Sequence, residues 1–183
     1  MKRVFVLLPF LVALLALSAV AGAQRSEGRH ADSGALVRFK GGIGVIPVAS
    51  APGQAATAEV VNRNIVRGVQ PAGQIWVISA LTADVKTDGA IRVDGRGLLL
   101  GGGDQIGFNG NASVFATLIC EPVAPFTERS TNLVGVPLEP DGDFRIDDVL
   151  DPAPPANCES PVLLIRVTGA NPAWFAAGIP RQN

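Results

Sequence analysis

The stretch IWVISALTADVKTDGAIRVDG, Ile75 to Gly95, decides the fold class. From Ile75 to Lys86 apolar residues recur at every second position. Val77, Ser79, Leu81, Ala83 and Val85 share one face, while the other starts apolar at Trp76 and Ile78 and turns polar at Thr82, Asp84 and Lys86. A period of two is that of a strand with one face in a core. Asp88-Gly89 follows, a pair suited to a tight hairpin because Gly takes positive φ without a steric cost. The return strand puts Ile91 and Val93 inward and Arg92 and Asp94 outward.

A second unit lies further along. SVFATLIC (Ser113 to Cys120) reads as a strand, and Val136 to Leu138 as another. Pro140-Asp141-Gly142-Asp143 then turns into FRIDDV, with Phe144 and Ile146 inward and Arg145 and Asp147 outward. TDGAIRVDG (Thr87 to Gly95) and PDGDFRIDD (Pro140 to Asp148) share a turn, an alternating apolar pair and an Arg at one offset. Nine residues are too few to separate a duplication from hairpin chemistry that arose twice.

Further strands are expected at Leu36 to Lys40, Ile43 to Val48, Glu59 to Val66, Leu98 to Leu100, Pro161 to Val167 and Trp174 to Ile179. SPVLLIRV is almost wholly apolar, as suits a central strand covered on both faces. The chain holds 21 Gly and 14 Pro, spread so evenly that no helix is expected past the first 23 residues. DPAPPANCES (Asp151 to Ser160) is a loop, since Pro cannot donate to a ladder. The expectation is a single all-β domain over residues 35–183. It is a β-sandwich of immunoglobulin-like or transthyretin-like type, with a β-barrel as the alternative.

The first 23 residues bear on compartment. Met1-Lys2-Arg3 is basic, Val4 to Val20 is nearly all apolar, and Ala21-Gly22-Ala23 supplies small residues for cleavage. This order predicts a secretory signal peptide over residues 1–23, followed by a flexible polar tail over residues 24–34. A retained membrane anchor is the rival reading, but the apolar run sits at the short limit for a span and no basic stop-transfer cluster follows. No membrane span is expected after cleavage. The product is expected in the periplasm or outside the cell. The leader carries Lys2 and Arg3 and no acid, so the chain's 15 basic and 16 acidic residues become 13 and 16, a net charge of about −3. That balance is too mild and too mixed to suggest nucleic acid, whose binders show a clustered basic face. In an oxidising compartment Cys120 and Cys158 are expected to form a disulfide.

Catalytic groups are scarce. His30 is the single His and lies in the tail, so a Ser-His-Asp arrangement would lack a fixed base. Zinc and copper sites lack their His and Cys ligands. Past Met1 there is neither Met nor Tyr. No cofactor is therefore expected apart from a candidate Ca²⁺ at the acids Asp141, Asp143, Asp147, Asp148 and Asp151, which lack EF-hand spacing and serve equally well to solvate a strand end. An acid-pair glycosidase would draw on Glu59, Glu121, Glu128, Glu139 or Glu159, whose spacing singles out no pair. Gly101, Gly103 and Gly107 miss the dinucleotide spacing and no helix follows them, so this run reads as bends between strands. Trp76 and Trp174 could form sugar platforms, although large aromatics at strand positions more often fill the core.

RFKGGIGVIPV (Arg38 to Val48), GDFRIDDVL (Gly142 to Leu150) and CESPVLLIR (Cys158 to Arg166) resemble segments of a family of exported bacterial proteins without an assigned activity. The order strand, DGxFxI turn-strand, Pro-rich loop, apolar strand over Ser113 to Val167 is similar to transthyretin-like and carboxypeptidase-regulatory-like domains. That likeness implies a sandwich and no catalysis. The expected function is non-enzymatic: an exported β domain with a binding or structural role at the envelope, surface or matrix, toward a protein or a glycan. The alternatives are a carbohydrate- or Ca²⁺-binding module centred on Trp76, Trp174, Asp141, Asp143 and Asp147, and an acid-pair glycosidase.

Overall fold

A computed structural model describes residues 34–52 and 59–181, the side chains of 49–52 and 59–61 excepted. The predicted leader and nearly all of the tail lie outside the described residues. Among the described residues there is no helix. The strands are β1 (Ala35–Gly44), β2 (Val48–Pro52), β3 (Glu59–Arg63), β4 (Trp76–Val77), β5 (Ala80–Lys86), β6 (Ala90–Arg96), β7 (Leu99–Leu100), β8 (Ser113–Ile119), β9 (Arg129–Ser130), β10 (Val136–Pro137), β11 (Phe144–Val149), β12 (Val162–Val167) and β13 (Trp174–Pro180). The described residues are all-β, as their spacing predicts.

One antiparallel sheet dominates, in the order β10-β8-β12-β13-β1-β5-β6-β11. It curls until its ends nearly meet, giving a barrel-like wall. β9 and β10 share the edge of β8 that β12 leaves free. Two contacts approach β11 from that side. The Glu139 N–H donates to the Asp143 carbonyl at 2.9 Å, and Ser130 and Asp151 exchange backbone hydrogen bonds at 2.9 Å each. β2–β3 and β4–β7 form small separate ladders.

The predicted hairpin is present. β5 and β6 pair with Val85 opposite Ile91 and Asp84 opposite Arg92. Gly89 has φ of 89°, and the Asp88 carboxylate accepts the Ala90 N–H at 3.0 Å. Leu81, Ala83, Val85, Ile91 and Val93 are all buried, as the period of two requires. Gly95 stands opposite both Leu81 and Phe144. A Cβ on Gly95 would fall 2.1 Å from the Phe144 ring, so the missing side chain is the space that ring occupies.

The strand expected from Ile75 to Lys86 is broken. β4 ends at Val77 and β5 starts at Ala80, and the buried parity changes across the break from even (Trp76) to odd (Leu81, Ala83, Val85). Trp76 leaves the main sheet to pair with Leu100 and stacks on Phe175 at a centroid distance of 3.9 Å. Burial of that large ring outweighs continuity of the ladder, and Ile78-Ser79 takes up the rotation. The expected strand Leu36–Lys40 lies within β1, which has an irregularity between Phe39 and Gly42, whereas the one expected from Ile43 to Val48 is divided: Ile43 and Gly44 end β1 and Val48 starts β2. The strand expected to reach Val66 stops at Arg63, because Val66 and Val69 close a tight turn with Arg67 and Gly68 both at positive φ.

β12 lies between β8 and β13, and its Leu163, Leu164 and Ile165 are wholly buried. Burial is equally unbroken from Val114 to Cys120. Both faces of this wall are thus covered. Segment 64–72 lies along the start of β13, where the Trp174 N–H donates to Gln70 O and the Ala72 N–H to Trp174 O. Cys120 and Cys158 are joined, tying the Pro-rich loop to the end of β8 as expected.

Candidate binding surface on the charged sheet face

The outward residues of β1, β5, β6 and β11 follow from the alternation that buries their neighbours. Register then sorts them by charge. Arg38 stands opposite Asp84, Asp84 opposite Arg92, and Arg92 opposite Asp147, so one row across four strands alternates in sign. Arg38 Nε donates to Asp84 at 2.9 Å, and Arg92 reaches one oxygen of Asp147 through Nη2 at 2.6 Å and Nε at 3.1 Å.

The two similar segments noted in the sequence turn out to be β6 and β11, paired with each other. Each contains Arg-x-Asp: Arg92-Val93-Asp94 and Arg145-Ile146-Asp147. Antiparallel pairing about Val93 and Ile146 places each Arg across from the other segment's Asp. Arg145 accordingly donates to Asp94 at 2.5 and 3.0 Å. Had the segments run parallel in register, like charges would have met. Arg96 extends the network to Asp143 at 2.5 Å and Asp94 at 3.3 Å. The Arg96 guanidinium, with help from the Gly97 N–H, holds the Asp143 carboxyl below its ordinary pKa. Asp147 in turn raises the pKa of Arg92.

Two grooves flank this network. The first, of about 500 Å³, brings Arg38, Lys86, Arg92 and Arg181 together with Asp84 and Asp147. The second, of about 330 Å³, is lined by Arg96, Arg145, Asp94, Glu139 and Asp143 beside Pro137. A third polar groove of about 550 Å³ lies near the start of β9, with Arg166, Glu128, Asp148 and Asp151 on its walls. There Arg166 is buried over the Phe115 ring, donates to Glu128 and gives two bonds to the Pro172 carbonyl. Ile46, Val48 and Ile75 contribute exposed aliphatic surface to an apolar groove of about 440 Å³.

The residues expected at a ligand site are not gathered in one place. Trp76 and Trp174 are 6% and 3% exposed, so neither indole is a surface platform. Trp174 Nε1 donates to the Asn64 carbonyl, which satisfies its polar atom inside the fold. Asp141 caps its own turn by accepting the Asp143 N–H, Asp143 belongs to Arg96, and Asp147 to Arg92. Among the described residues no three His, Cys, Asp or Glu side chains converge in a manner that could hold a metal ion. Of the glutamates, Glu121 is gripped by the buried Arg129 at 2.7 Å, which lowers its pKa to about 2. Glu128 is taken by Arg166.

Reading the sequence alone missed Arg38, Asp84, Lys86 and Arg181 as a group. Lys86 and Arg181 are far apart in sequence, and only the sheet order β13-β1-β5 brings them to one groove. No protein family, no curated protein and no solved structure matches the chain.

Proposed function

We propose that this chain is an exported, non-enzymatic β domain that binds an extracellular ligand through the charged face of β1, β5, β6 and β11. The observation that carries the reading is the state of that face's carboxylates. Asp84, Asp94, Asp143 and Asp147 are each held by an arginine. A general acid needs a raised pKa and a nucleophile needs freedom to attack. Here Asp143 is displaced the other way, toward the ionised form. An array of paired charges with open grooves is suited to recognition. Export is supported by the leader pattern and by the Cys120–Cys158 disulfide, a bond that persists in oxidising compartments. For the architecture we favour the barrel over the two-layer sandwich, since one continuous sheet carries both walls.

The test is a thermal-shift panel on the protein with Ca²⁺, EDTA and neutral and acidic cell-wall glycans. A ligand at about 100 times its dissociation constant adds roughly 2.7 kcal/mol, which moves the midpoint by several degrees. A selective shift supports the binding reading. Hydrolysis of a polysaccharide, lost on replacing one Asp or Glu by Ala without loss of the folded state, overturns it.

A further inference from the structure

The groove shared by β1, β5, β6 and the end of β13 departs from the charge balance of its surroundings. Across the rest of the face, Asp94 and Asp143 are each met by an arginine. Among the described residues that line this groove, four cations meet two carboxylates. Asp84 is occupied by Arg38 and Asp147 by two donors of Arg92. Lys86 and Arg181 are left with no carboxylate partner among the described residues. Both are placed by ordered backbone. Lys86 ends β5 opposite Ala35, and the Arg181 N–H donates to the Arg38 carbonyl at 2.8 Å.

Cations collected in one groove repel one another, and an oxyanion seated among them relieves that repulsion while accepting charge-assisted hydrogen bonds. We infer that this groove is an oxyanion-binding site, in which Lys86 and Arg181 take a carboxylate or phosphate group of an extracellular ligand. The inference rests on the binding role proposed above and narrows its ligand class. Its volume of about 500 Å³ falls inside the usual range for small-ligand sites.

The test is a titration of the ¹⁵N-labelled protein at constant ionic strength with trigalacturonate, inorganic phosphate and the neutral galactose trimer. Saturable shifts of the Lys86 and Arg181 amides with trigalacturonate or phosphate support the site, and the tighter of the two identifies an acidic glycan or a phosphate as the source. The Lys86→Gln, Arg181→Gln double variant should weaken that binding about tenfold, as loss of two charge-assisted contacts implies. Asp104→Asn, in the exposed loop after β7 and off the charged face, should leave it unchanged. Equal binding of the neutral trimer, no saturable shift with either anion, or undiminished affinity in a folded double variant overturns the inference. If the anions are silent while another glycan or a protein binds elsewhere on the face, the oxyanion site fails and the binding role stands. Polysaccharide hydrolysis would remove the binding role itself.

Discussion

Along β5, β6 and β11 one residue in two is buried, whereas along β8 and β12 burial runs through consecutive residues. The first wall meets water and presents Arg and Asp. The second is covered outside by loops, by segment 64–72 and by the Arg166 side chain lying over Phe115. Stability should therefore be concentrated in the second wall and recognition in the first. Alternation and continuous burial are two solutions to one requirement, since any strand face that water does not cover must be covered by protein.

The sharpest way to break the comparison is to cut the covered wall at its centre. Leu164 is wholly buried, and Leu164→Ala should cost about 3–4 kcal/mol, the loss of transfer energy together with a cavity. Chemical denaturation with an unchanged slope measures it. A loss below about 1 kcal/mol would mean that the wall collapses around the gap and is not tightly packed. The disulfide offers the next largest effect. It closes a loop across 38 positions, for which the chain-entropy model gives about 4 kcal/mol. Replacing both Cys120 and Cys158 by Ser should lower stability by about 2–4 kcal/mol. Equal midpoints for the variant and the parent would show that the loop is already restrained in the unfolded chain.

The two walls differed in how much of them could be read from sequence. Alternation in TADVK and AIRVDG showed both the strand and its faces, and Asp88-Gly89 showed the turn. The apolar run VLLIRV correctly implied a central strand. Trp76 obeyed neither pattern, because its place is decided by Phe175, ninety-nine positions away. The groove was hidden for a related reason. A charged residue's neighbours along a strand are visible in the sequence, but its neighbours across strands depend on sheet order. The paired Arg-x-Asp segments were the exception, since their likeness was visible and only their pairing was missing.

Glu121 allows an intermediate test at the end of the covered wall. Its folded pKa is about 2, against an ordinary 4.5, chiefly because Arg129 donates to it. A depressed carboxylate stabilises the fold above its unfolded pKa, and that contribution is lost as pH falls from about 4.5 toward 2. With its side chain 26% exposed and partly screened, the loss should be about 1–2 kcal/mol. Urea midpoints at pH 7, 4 and 2.5 measure it. Glu121→Gln should flatten this part of the acid slope, and an identical slope in the variant would assign the acid sensitivity to other carboxylates.

The smallest effect is expected on the charged wall. Arg92 and Asp147 have side chains 67% and 62% exposed, and such pairs are weak because water screens them and two long side chains must be held still. Arg92→Ala should leave the thermal midpoint within about 3 °C of the parent. A double-mutant cycle with Asp147→Ala should give a small coupling that vanishes in 1 M NaCl, where the Debye length is about 3 Å. A large, salt-resistant coupling would break the comparison, since it would make the charged row part of what holds the sheet together. A small one leaves the row free to vary at little cost to the fold. The alternation of sign across four strands would then be explained by what the face meets outside the molecule, and changes at Lys86 and Arg181 should alter binding without altering stability.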